Sequence, residues 1–167
     1  MSGRRRRSGG RRTPEDEERP SWFVTAYHEI VTLPGGPGYR SVELLYPQNG
    51  LPAGEYGFVE YYCTDSRCDC RNLHLNVYGG EPLSHLATIN VSLDPGGFAD
   101  LGVEEQYFLD PFNPQSEYSP ALLELFRENL LADEAYMGRL EERVHIAKRI
   151  GRRNAERGPQ PTGVPRQ

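Results

Sequence analysis

The chain has 167 residues and a formal net charge of −5, enough for one domain with tails. Charge is unevenly placed: residues 1–19 carry seven Arg against four acids, residues 139–167 carry eight basic residues against three acids, and residues 20–138 carry four against seventeen. Phosphate neutralisation needs clustered Lys and Arg, so the acidic middle excludes a broad nucleic-acid face there, and the lack of any apolar run near ~20 residues excludes a spanning helix.

Residues 1–20 (MSGRRRRSGGRRTPEDEERP) have no apolar residue after Met1 and cannot bury enough surface to offset ordering entropy, so they are expected to be a disordered tail. The Arg-rich start lacks the apolar stretch of a secretory signal, which predicts a cytoplasmic protein. A single α+β domain is expected over 21–153, with a second disordered tail over 154–167.

Residues 22–33 (WFVTAYHEIVTL) are dense in aromatic and β-branched residues and read as a strand covered on both faces. The Pro34 to Gly38 run breaks it, and residues 40–46 (RSVELLY) resume it as a hairpin with a long turn. Residues 55–62 (EYGFVEYY) and 71–78 (RNLHLNVY) bracket all three cysteines and predict an antiparallel hairpin. In that pairing Cys63 stands opposite Cys70 and Cys68 lies on the connecting loop.

The Cys-x4-Cys-x-Cys spacing predicts a metal knuckle at Cys63, Cys68 and Cys70. Directly opposed strand residues lie about 4.5 to 5.5 Å apart at Cα, close enough for two thiolates to share one zinc at about 2.3 Å. A closed structural site needs a fourth ligand, for which the candidates are Asp65, Asp69, His28, His85 or a water. His74 ranks below them, because four residues of strand separate it from Cys70 by roughly 13 Å. Arg67 and Arg71 flank the cysteines and are placed to offset the negative charge of three thiolates and hydrogen-bond the sulfurs; the alternative is that both are solvated hairpin residues, the favoured reading for Arg67. Two other readings compete: a Cys63–Cys70 disulfide or redox pair with Cys68 odd, and three unligated cysteines acting as small apolar residues.

Residues 84–93 (SHLATINVSL) alternate cleanly and place His85, Ala87, Ile89, Val91 and Leu93 on one buried face. Residues 94–118 read as a loop, with room for a short helix or edge strand, and Asp100, Glu104, Glu105 and Asp110 are expected to be solvated. Ser119 and Pro120 signal a helix start, opening a helix over 120–131 with a leucine stripe. Asp133 caps a second helix from 134 to about 153, whose apolar positions are Tyr136, Leu140, Val144 and Ala147 and which Gly151 and Gly158 with Pro159 and Pro161 are expected to end. Strongly basic along Arg139, Arg143, Lys148, Arg149, Arg152 and Arg153, this helix either packs beside the first or projects as an interaction arm, and His145 is expected on an exposed or boundary face. The fold class is therefore α+β, an antiparallel sheet of four to five strands with a cysteine-knuckle hairpin, followed by two C-terminal helices.

The residues Tyr62, Cys63, Cys68, Asp69, Cys70 and Arg71, with the segment Asn113, Pro114, Gln115, Ser116, Glu117 leading into leucine-rich helices, resemble small uncharacterised bacterial proteins associated with SEC-C-type cysteine knuckles. The resemblance implies metal binding at Cys63, Cys68 and Cys70 and no established activity. The leading expectation for function is a zinc-stabilised binding or adaptor domain with a protein partner. A metal- or thiol-dependent enzyme using His28, His85 or an acid as proton carrier is the alternative, but no His-Glu-x-x-His pair, His-x-Glu signature or Gly-rich phosphate loop supports it. Weak nucleic-acid binding through the Arg-rich tails is a third.

Overall fold

The computed structural model describes the backbone pairing of residues 27–29 and the whole of residues 38–158. The expected tail at 1–20, the outer parts of the 22–33 strand and the turn before Gly38 lie outside the described residues, as does the tail beyond Gly158.

The chain order is β1 (Tyr27–Glu29), β2 (Tyr39–Leu44), β3 (Gly54–Cys63), β4 (Asn72–Gly79), β5 (Ser84–Ser92), β6 (Tyr107–Leu109), α1 (Ser119–Leu125) and α2 (Glu134–Arg157). All strand pairs are antiparallel. Both β1 and β2 pair with the same edge of β3, β1 against Tyr61 to Cys63 and β2 against Gly54 to Val59. Six strands thus fill five positions, closing with β4, β5 and β6.

Period-two alternation decides which face each side chain takes. On one face Phe58 and Tyr62 of β3, Leu73, Leu75 and Val77 of β4, and Ala87, Ile89 and Val91 of β5 are fully buried beneath the helices. Each large aliphatic side chain removed from water contributes about 1.5 to 3 kcal/mol, so this layer dominates the stability of the domain. α1 is shorter than the helix expected over 120–131. After Leu125 the chain widens into a π-helical turn, Phe126–Leu130, in which Leu131 N–H donates to the Phe126 carbonyl. The wider turn keeps Leu122, Leu125, Phe126 and Leu130 all on the sheet. Ser119 does not cap α1; its hydroxyl donates to the Leu86 carbonyl and ties the helix start to β5.

α2 begins where the sequence places it, with the Asp133 carboxylate accepting from Tyr136 N–H at 3.0 Å. It runs past residue 153 to Arg157 and ends at Gly158, whose φ of 69° lies in the left-handed region. Tyr136, Leu140, Val144 and Ala147 are buried as their spacing requires, and Arg143 and Gly151 join them. Arg143 is not a surface cation. Its guanidinium donates at 2.8 Å to the Glu60 carboxylate on β3, which also accepts from the Tyr62 hydroxyl at 2.6 Å. Glu60 otherwise interrupts the apolar face of β3, and this pair fixes α2 across the sheet.

The opposite face is polar and is covered by residues 94–118, which hold a short 3-10 turn (Ala99–Leu101) and β6. Gln115, from the Asn113 to Glu117 segment, bonds both backbone groups of Thr88 and so extends the sheet beyond β6. Asp110 departs from the expected solvated loop: it is fully buried and accepts from Phe112 N–H and the Asn113 side chain. Among the described residues, no helix is long and apolar enough to cross a membrane.

Candidate metal centre

The three cysteines meet at the end of the β3–β4 hairpin nearest the C-terminal part of α2. Their register differs from the expected one: Tyr62 pairs with Leu73, so the ladder continues Cys63 toward Asn72 rather than Cys70. The offset is two residues, and Cys70 lies just before β4, outside the ladder. The loop supplies the rest of the convergence. Cys68 N–H donates to the Asp65 carbonyl at 3.1 Å and Arg67 N–H to the Asp65 carboxylate at 2.9 Å, a turn that folds Cys68 back over the hairpin mouth.

As a result the Sγ atoms of Cys63, Cys68 and Cys70 all lie within 4.8 Å of one another. Thiolates bound tetrahedrally at about 2.3 Å from one ion stand ~3.8 Å apart, so closing on a metal needs side-chain rotations of at most about 1 Å. Cys63 is buried, Cys68 and Cys70 are half-buried, and none is in a disulfide. The site is close enough to hold a metal ion.

Of the expected fourth ligands, none among the described residues joins this group. The Asp65 carboxylate is engaged by Arg67. Asp69 lines a neighbouring cleft. His85 is at the far end of the sheet, where Tyr78 pairs with it across a β-bulge that inserts Leu86. The bulge also changes the expected face: Leu86 packs on the core, while His85 contacts the Thr88 hydroxyl at 2.9 Å and the edge of the Tyr78 ring. His28 pairs by backbone with Tyr62, one residue from Cys63, and its side chain is outside the described residues. His74 stays away as its distance along the strand requires, lying 3.7 Å from buried Asp110.

The arginines do not serve the sulfurs. Arg67 is turned to Asp65, and Arg71 is held by Asp94 at 2.9 Å and Glu141 at 3.4 Å. The cation at the site is Lys148, 78 residues along the chain from Cys70, whose ammonium lies 3.6 Å from the Cys70 sulfur. It was hidden in sequence among the other basic residues of α2. Its neighbour Gly151 brings the helix close: a Cβ there would fall 1.9 Å from the Thr64 carbonyl oxygen. Electrostatics follow from this packing. The Cys70 thiol donating to Cys63, with the Asp65 N–H and Lys148, outweighs burial and lowers Cys63 to about 5. Cys70, as the partner that keeps its proton, is pushed up. The hydrogen bonds and the nearby ammonium thus favour the charged form of sulfur where a soft cation would bind.

Comparison with protein families, with curated proteins and with solved structures finds no match to this chain.

Proposed function

We propose that the protein is a zinc-stabilised binding domain in which Cys63, Cys68 and Cys70 hold one zinc ion and the surface around the knuckle receives a protein partner. The observation that carries this reading is the convergence of three Sγ atoms within 4.8 Å on a hairpin end that α2 packs against. A set of thiolates in near-tetrahedral reach is the donor chemistry of zinc among the abundant divalent ions. Three thiolates on zinc leave one negative charge, which the Lys148 ammonium balances. The fourth position falls to water. Free thiols of this kind suit a reducing compartment, which supports a cytoplasmic location.

Here zinc acts structurally. It ties the 63–70 loop to itself, and because α2 rests on Thr64, it also fixes the end of the helix. Metal-binding free energy is then folding free energy. Chelation of the purified protein should lower its melting temperature, and Cys68→Ser should lower it likewise and make it insensitive to chelator. A melting temperature unchanged by both would defeat the reading.

A further inference from the structure

Beside the knuckle a cleft of about 460 Å³ opens between the hairpin and α2, lined by Asp69, Arg71, His145, Lys148, Arg149 and Arg152 with two further residues. Besides Val144, the helical positions His145, Lys148, Arg149 and Arg152 stand at i, i+3, i+4 and i+7, one stripe about 10 Å long at 1.5 Å rise per residue. Its cations differ in what already holds them. Lys148 faces the Cys70 sulfur, and Arg71 lies between Asp94 and Glu141. Arg149 and Arg152 are exposed and have no carboxylate partner among the described residues. Residues 139–167 carry eight basic residues against three acids, and these two guanidinium groups are the part of that excess that borders the cleft.

We propose that this cleft docks a short acidic segment of a partner protein, its carboxylates received by Arg149 and Arg152. The proposal gives the chemistry of the partner in the binding-domain reading above and rests on that reading. A guanidinium fork matches a carboxylate with two parallel hydrogen bonds, and arginine clusters of this kind recognise acidic motifs. Asp69 is the one carboxylate in the lining, against Arg71, Lys148, Arg149 and Arg152. Size decides against nucleic acid. Three or four extended residues, at about 3.3 Å each, cover the stripe and stop. A duplex carries a charge about every 1.7 Å and continues well past the cleft, so most of its phosphates would meet no cation of the lining.

The test is fluorescence anisotropy of fluorescein-labelled hexaglutamate with the full-length, metal-replete chain, beside hexaglutamine and dodecathymidylate probes. Hexaglutamate should bind, hexaglutamine should not, and the oligonucleotide should bind more weakly. Arg149→Glu with Arg152→Glu should weaken hexaglutamate binding at least about tenfold, and raising salt from about 0.05 to about 0.5 M should weaken it comparably. Zinc content and melting temperature, measured on the same samples, should be unchanged by the double substitution, since neither arginine supports the knuckle. Absence of hexaglutamate binding by folded protein, equal binding by the double variant, or tighter binding of the oligonucleotide would each overturn the proposal. Peptide binding that survives in a protein found to hold no zinc would instead remove the zinc reading and leave the cleft standing.

Discussion

Gly151→Ala is the substitution whose sign most sharply reports the contact between α2 and the knuckle. In an unencumbered helix interior Ala is favoured over Gly by about 1 kcal/mol. At Gly151 the added Cβ falls 1.9 Å from the Thr64 carbonyl oxygen and 2.8 Å from its carbonyl carbon, with no flexible side-chain end to give way. Restoring an ordinary contact of about 3.3 Å requires the helix or the residue after Cys63 to move by more than about 1 Å, and overpacking of this kind costs about 1 to 3 kcal/mol. Because the clash is with backbone, the upper part of that range applies and the net effect is a loss of about 1 to 2 kcal/mol. Gly138, on the same helix, meets nothing within 4 Å and supplies the control. Gly138→Ala should gain about 1 kcal/mol, so the two variants should differ by about 2 to 3 kcal/mol, or roughly 10 °C in melting temperature. Thermal unfolding by circular dichroism reads the difference, and competition with a zinc-binding dye should show weaker metal retention for Gly151→Ala alone. Equal stabilisation by both substitutions, with metal retention unchanged, would refute the packing of helix on knuckle.

Other parts of the fold give equally definite expectations. Arg143→Met leaves Glu60 buried without its partner and should cost about 3 to 5 kcal/mol in denaturant unfolding, whereas Glu60→Leu with Arg143→Met should recover most of it; a double variant no better than the single would contradict the charge argument. Asp133→Ala removes the acceptor for Tyr136 N–H and should cost about 1 kcal/mol, read in the same assay, and no measurable loss would show that the cap is idle. His74 is held below its ordinary value chiefly by burial, against the opposing pull of Asp110. The unfolded chain therefore binds a proton below about pH 6.5 that the folded chain refuses, and stability should fall as the pH drops from about 6.5 toward the folded value. His74→Gln should make that acid limb shallower, and an identical slope in the variant would remove His74 as its source.

The order of elements was legible because it rests on local patterns. Period-two alternation placed β3, β4 and β5 within a residue or two, and Asp133 marked the start of α2. Three cysteines in eight positions marked the candidate centre for the same reason, since the ligands arrive on one hairpin. What escaped depends on contacts between distant parts of the chain. Hairpin register is set by the whole ladder, so the two-residue offset at Cys63 could not be read from the flanking runs. The bulge at Leu86, which turned His85 to the polar face, leaves no mark in an alternating sequence. Lys148 and Arg143 sat in a helix rich in basic residues, and only the fold distinguishes the one beside sulfur and the one buried against Glu60 from the exposed remainder. Gly151, expected with Gly158 to end α2, instead lies buried inside it, because the glycine serves a close approach to the Thr64 carbonyl rather than a helix end.

Zinc at the knuckle is tested most directly by native mass spectrometry with elemental analysis on protein purified without added metal. The account predicts one zinc per chain, lost in Cys68→Ser, with the three thiols slow to react until a chelator is added. A metal-free chain whose three cysteines titrate freely in the folded state would contradict it.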